Sequence, residues 1–218
     1  GYNAKDSTEA SDAQDNRVVS LKSVASTTEA PVKPEALLYR PIVDRKLEIH
    51  TVEKFKVGYR GSDLYFTYGD AAKVRKGGEK NFTIVNPDAF KANKKLFGQD
   101  VFSAGGKSVL VVEGEFDALA AYQMLGSARF SIAVVSIRNG AQSALKDCKE
   151  NYDWLDSFDE VVFCLDNDSD GHQAQMQCAE LFSHKSKCMV AVNGFKDACD
   201  FLRENQSQQF VDNFWRAE

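Results

Sequence analysis

Two stretches decide how this chain is read: Ser108-Val109-Leu110-Val111-Val112-Glu113-Gly114-Glu115-Phe116-Asp117, and Glu160-Val161-Val162-Phe163-Cys164-Leu165-Asp166-Asn167-Asp168-Ser169-Asp170-Gly171. Each begins as a short β-branched, apolar run, the pattern of a strand buried on both faces. Each then turns abruptly acidic. A strand that ends in an acid places it at the carboxyl edge of a sheet, where open α/β folds bind ligands. A third acidic piece, Lys196-Asp197-Ala198-Cys199-Asp200, follows. Acids converging on one edge do not all stay ionised unless cations hold them. The set therefore reads as a divalent-metal site, with magnesium doing phosphoryl or nucleotidyl chemistry.

Outward from these stretches, strand and helix patterns alternate. Strands are expected at 108–112, 132–136, 160–165 and 188–192. Helices are expected at 116–125, 141–152, 171–183, 199–204 and 207–216. This alternation predicts an α/β fold with a mostly parallel sheet flanked by helices. Upstream, apolar residues at 49, 52 and 55 predict a short helix. Tyr59 to Tyr68 and Phe82 to Val85 predict a small antiparallel sheet, with Lys73, Arg75, Lys76 and Lys80 gathered around one of its turns. Residues 1–35, rich in Ser, Thr, Ala, Asp and Glu and lacking apolar periodicity, read as a disordered tail or linker. The expected organisation is a tail at 1–35, a small basic α+β subdomain at 36–104, and the α/β domain with its C-terminal helix at 105–218.

The net charge of −5 hides an asymmetry. Residues 37–100 carry 13 Lys and Arg against 8 Asp and Glu, and residues 101–218 carry 10 against 18. A basic part beside an acidic part suits an enzyme that grips a polyanion with one and metal ions with the other. The apolar fraction, 43%, is ordinary for a globular chain. No apolar run approaches the ~20 residues that span a bilayer, so no membrane contact is expected. No secretory or organelle leader is recognisable, and a first residue of Gly reads as a piece cut from a longer polypeptide. The five cysteines form no Cys-x-x-Cys pair, which argues against a structural zinc ribbon. Their odd number fits a reducing compartment.

Weaker motifs yield to simpler readings. Asp166-x-Asp168-x-Asp170-Gly171 imitates a calcium loop, but loop position 12 is Gln177, not Glu, and a strand precedes it where a helix is required. If extended geometry persists past the strand, Asp166, Asp168 and Asp170 point the same way. Gly105-Gly106-Lys107-Ser108 imitates the end of a phosphate-binding loop, yet a strand follows it and Val101 stands where the first Gly belongs. Gly114 lets backbone or phosphate approach closely. Asp117 shares a helical face with Glu113 if the helix starts early.

Glu113-Gly114-x-x-Asp117 followed about fifty residues later by Asp166-x-Asp168 resembles the TOPRIM domain of bacterial-type primases, topoisomerases and some nucleases. The resemblance extends through Val135-Ser136-Ile137-Arg138-Asn139-Gly140-Ala141, Asn151-Tyr152 and Lys196-Asp197-Ala198. Upstream it includes Lys73-Val74-Arg75, Lys80-Asn81-Phe82 and Lys95-Leu96-Phe97-Gly98. In these parts, roughly 40–217, the chain is similar to the primase half of phage bifunctional primase–helicases, to which the mitochondrial helicase Twinkle is related. The four-cysteine zinc module and the helicase half of that family have no counterpart here, so the chain reads as an excised core or as a protein that lost or borrows those parts.

The resemblance implies a TOPRIM fold and a DNA primase that makes short RNA primers on single-stranded DNA from ribonucleoside triphosphates. A replicative helicase would be its partner, in cis or in trans. It implies Glu113, Asp166 and Asp168 as catalytic residues that bind Mg2+ or Mn2+, as two ions, with Asp197 completing the metal set and Glu113 serving as general base. Gly114 and Asp117 would support them. Lys73, Arg75, Lys80 and Arg138 would hold nucleotide or DNA phosphates. The setting implied is the cytoplasm of a phage-infected bacterium, or else a mitochondrion. Two rival readings are a TOPRIM nuclease with water as nucleophile, and a non-catalytic DNA-binding module that couples to a helicase.

Overall fold

A computed structural model describes residues 36–77, 79, 81–126, 132–189 and 194–218. The expected tail at 1–35 lies outside the described residues, as does Lys80.

The acidic stretches sit on a four-stranded parallel sheet. Its strands are β5 (Gly106–Val112), β6 (Ala133–Ser136), β7 (Phe158–Cys164) and β8 (Ser186–Cys188), in the order β6-β5-β7-β8. The register sets Val112 level with Ser136 on one side and with Cys164 on the other. The chain therefore leaves β5, β6 and β7 at one height, and the residues that follow each strand meet at one edge.

Alternate side chains of these strands enter two cores. Leu110, Val112, Val134 and Val162 pack with α3 (Glu115–Leu125), α7 (Ala198–Arg203) and α8 (Ser207–Trp215). Val109, Val111, Val135, Val161 and Phe163 pack with α4 (Ala144–Glu150), α5 (Tyr152–Asp156) and α6 (Ser169–Leu181). Both faces are covered, which is why the strands read as unbroken apolar runs.

The upstream region forms a second sheet of four antiparallel strands in chain order: β1 (Gly58–Arg60), β2 (Asp63–Tyr68), β3 (Ala71–Arg75) and β4 (Phe82–Val85). The sequence pattern showed only two runs here. The stretch from Tyr59 to Tyr68 is divided by a two-residue turn at Gly61 (φ +63°), and a second such turn at Gly69 (φ +64°) leads into β3. Lys73 and Arg75 thus lie within a strand, not at a turn. Their charge masked a strand whose small partners, Ala71 and Ala72, carry little β signal.

This sheet is flanked by α1 (Ile49–Lys54) and α2 (Pro87–Ala92), and packs through Phe66 on Phe116 of α3, with ring centroids 4.9 Å apart. Phe55 and Phe97 join the same cluster. One core therefore runs across positions 104 and 105.

Two further expectations shift in detail. The helix expected over 141–152 is a 3-10 turn at Ala141–Ser143 followed by α4, interrupted at Asn151 and resumed as α5. The Asn151 side-chain amide donates to the carbonyls of Asp147 and Lys94, both at 2.8 Å, and so satisfies a helix-end acceptor. The strand expected at 188–192 is β8, two residues earlier at its start, while 190–193 lie outside the described residues. Among the described residues no helix is long and apolar enough to cross a membrane.

Candidate functional site

Glu113 leaves β5 at the shared edge, and its carboxylate is fixed by backbone from the two neighbouring strand ends. Oε1 accepts from the Ala141 N–H and Oε2 from the Asp166 N–H, each at 3.2 Å. Gly140 (φ +72°) gives the loop after β6 the left-handed backbone that delivers the Ala141 N–H to Glu113. Burial, then the charge of Asp166, raises the Glu113 carboxyl above the usual range, against the pull of its two N–H donors. Because α3 begins at Glu115, Glu113 precedes the helix and does not share a helical face with Asp117.

β7 ends at Cys164, and the chain turns tightly: the Asp168 N–H donates to the Asp166 carbonyl at 2.8 Å. The alternation expected of Asp166, Asp168 and Asp170 is therefore lost. Asp168 becomes the N-cap of α6, accepting from the Gly171 N–H at 2.9 Å, and Asp170 lies in the first helical turn. The cap bond, with the charge of Lys196, holds the exposed Asp168 carboxyl below its usual range. Gly171 is required by packing. A Cβ at that position would sit 2.1 Å from the Asp166 carbonyl oxygen.

Asp197 repeats the device as N-cap of α7, accepting from the Asp200 N–H at 2.9 Å. It stands beside Asp117 and Cys199, the ligating atoms of the three lying within 4.8 Å of one another. Asp117 accepts from the Cys199 N–H at 3.2 Å. Burial and the charges of Asp197 and Asp166 push the Asp117 carboxyl up to about 8. Burial also raises Asp197, and the Cys199 thiol is driven well above its usual range. Gly114 makes room for this: its Cβ would lie 2.8 Å from Asp117 Oδ2.

Lys196, quoted within its motif but not assigned a site role from sequence, bridges the set. Its ammonium is 2.7 Å from Asp166 Oδ2 and 3.7 Å from Asp168 Oδ2. The Asn167 N–H to Lys196 carbonyl bond, 2.8 Å, ties its loop to the turn after β7. A hydrophilic cation thus already stands at these carboxylates. Oxygen donors crowded so that Glu113 and Asp117 resist ionisation suit a hard divalent cation. A protonated Cys199 does not suit a soft thiolate-bound metal.

The basic residues divide. Arg75 lies half-buried in β3, its guanidinium 5.5 Å from the Phe116 ring, close to the first turn of α3. Arg45, which the sequence pattern did not mark, approaches the same ring at 3.8 Å. Lys73 and Arg138, expected as phosphate contacts, are 9% and 5% exposed and turned inward. Lys73 pairs with Glu115 at 2.6 Å and donates to the Arg138 carbonyl. Arg138 donates from its guanidinium to the Phe90 carbonyl and from its backbone to Asp147 Oδ2 at 2.9 Å. Both belong to strands or strand ends whose side chains face the seam between the two sheets, so the interior takes their charges. No local pattern distinguishes such a cation from an exposed one.

Residues 110–202 match the family described as Toprim-like. A DNA helicase/primase of Enterobacteria phage T3 is 31% identical over 139 residues, 64% of this chain; the chain spans 23% of that protein's length. The primase fragment of the bacteriophage T7 primase-helicase superposes with a TM-score of 0.73 at 24% identity, over 86% of this chain and 80% of the fragment. The bacteriophage T7 primase domains bound to an RNA/DNA hybrid and dTTP, in a complex with the lagging-strand DNA polymerase, superpose at 0.70 and 24% identity, over 87% of this chain and 98% of theirs. These superpositions describe a common fold.

Proposed function

We propose that this chain, whose residues 110–202 form a Toprim-like domain, is the catalytic core of a DNA primase, joining ribonucleotides into short primers on single-stranded DNA. The observation that carries the reading is the convergence of Glu113, Asp166 and Asp168 at the carboxyl edge of a parallel sheet. It occurs in a chain 31% identical to a phage helicase/primase. The substrates are ribonucleoside triphosphates and a single-stranded template, and a replicative helicase acts in cis or in trans. The named relatives come from phages, which supports the cytoplasm of an infected bacterium over a mitochondrion. We place the basic subdomain at 36–104 and the Toprim-like domain at 105–218.

Glu113, Asp166 and Asp168, with Asp197 alongside, would hold magnesium or manganese, as two ions, which would neutralise charge on the reacting phosphates. Glu113 is positioned by two backbone donors and has a raised proton affinity, which suits it to take the proton of the attacking 3′-hydroxyl. Asp168 stays ionised because the α6 cap bond favours its charged form. Lys196 balances Asp166 and Asp168. Asp117 orients the start of α7 and so supports Asp197. Arg75 and Lys80 hold triphosphate or template phosphates.

The test is metal-dependent incorporation of labelled ribonucleotides on varied single-stranded DNA, with Glu113→Gln and Asp168→Asn as controls. Short products lost in both variants are expected. Loss of the DNA itself would indicate a nuclease, and intact DNA binding without either reaction would indicate a coupling module.

A further inference from the structure

Behind the acidic edge lies a buried polar chain that the reaction scheme above does not use. Glu115, the first residue of α3, is 5% exposed. Its Oε1 accepts from Lys73 Nζ at 2.6 Å and from the Tyr68 hydroxyl at 2.5 Å, so β2 and β3 both reach it. Lys73 Nζ also donates to the Arg138 carbonyl in the loop after β6. The backbone of that loop then supplies the Ala141 N–H to Glu113 Oε1. Glu115 thus approaches Glu113 by two routes. One is direct, through Gly114, the single residue separating them at the start of α3. The other passes through Lys73 and the 138–141 loop.

Two opposite charges are withdrawn from water here, and a buried pair of this kind is poor evidence for added stability. Its value lies in fixed geometry. A buried carboxylate with two donors, one of them shared with a loop carbonyl, leaves β3, α3 and the loop little freedom to slide. We propose that Glu115 is a positioning residue: through Lys73 it sets the 138–141 loop, and hence the orientation of Glu113. Lys73 is the strut in this arrangement, not a ligand of substrate phosphate. The inference rests on the primase reading for its kinetic consequence, and on Glu113 as a cation ligand for its binding consequence.

The experiment compares Glu115→Gln, Lys73→Met and the double variant with wild type, measuring primer synthesis, manganese affinity and melting temperature. Each single variant should lower kcat about tenfold or more while KM for ribonucleotides stays within about twofold. Manganese affinity should weaken by about tenfold, the scale set by partners of metal ligands. The double variant, with no orphaned charge, should melt near wild type yet keep both losses. A double variant with wild-type kcat and manganese affinity would overturn the proposal and reduce the pair to a fold contact. A raised KM with unchanged manganese affinity would also overturn it, because Lys73 would then be a phosphate ligand. If wild type makes no primers but binds manganese, the primase reading falls and the positioning role is decided by affinity alone. A wild type that binds no manganese overturns both.

Discussion

Asp117 carries the strongest pH dependence among the acids of the site. Its carboxyl, raised to about 8 by burial and by its acidic neighbours, binds a proton more tightly in the folded chain than in the unfolded one. Its contribution to stability is therefore complete below the unfolded value, near pH 4, and is lost as the pH climbs toward 8. Without divalent cations, the melting temperature should fall across that interval. Asp117→Asn should flatten the fall, melting above wild type at pH 8 and close to it at pH 4, as thermal unfolding in chelator will read. Asp168 has the opposite sign: its lowered carboxyl favours folding above its unfolded value and ceases to as acid protonates it. Gly171 is constrained by space alone. Gly171→Ala would press a Cβ onto the Asp166 carbonyl, and should destabilise by about 1–3 kcal/mol in denaturant titrations.

At the scale of elements, two helix starts hold acids that the proposed function makes cation ligands. Asp168 and Asp197 cap α6 and α7, so their carboxylates are anchored by backbone before any cation arrives. Asn is as good an N-cap as Asp. On the proposed primase reading, Asp168→Asn should therefore leave unfolding free energy nearly unchanged while abolishing primer synthesis, whereas Asp168→Ala should lower stability as well. Comparing the two by chemical denaturation and primer assay separates the cap from the charge. α3 is instructive in another way. It lacks an amphipathic stripe because it is buried on nearly every side, by the parallel sheet and α7 on one flank and by the antiparallel sheet on the other.

Over the whole molecule, the antiparallel sheet completes the core on one face of the parallel sheet. Phe66 is fully buried and meets Phe116, Phe97 and Phe82. Phe66→Ala should cost about 3–5 kcal/mol and lower stability of both sheets in a single unfolding transition. A fragment of residues 105–218 would expose the apolar flank of α3, and should show weak side-chain order by near-ultraviolet circular dichroism. Retention of a cooperative, native-like fold by that fragment would show that the two sheets are energetically independent.

The sequence by itself determined the alternating α/β pattern, the strands at β5 and β7 and the acids that follow them, because a doubly covered parallel sheet writes unbroken apolar runs and its edge writes their abrupt end. Glu113, Asp166 and Asp168 stood out for that reason, whereas Asp197 was marked only by a third acidic stretch and by the family resemblance. Only the tertiary structure decided how those acids are held. The proximity of Asp117 to Cys199 and the bridge from Lys196 to Asp166 bring together segments 82 and 30 residues apart, and the local turn that makes Asp168 a helix cap is tied through Asn167 to the Lys196 loop. The same holds for Lys73 and Arg138. Whether a lysine faces water or a buried glutamate is settled by what the opposite sheet places against it, and nothing in the local order of residues records that.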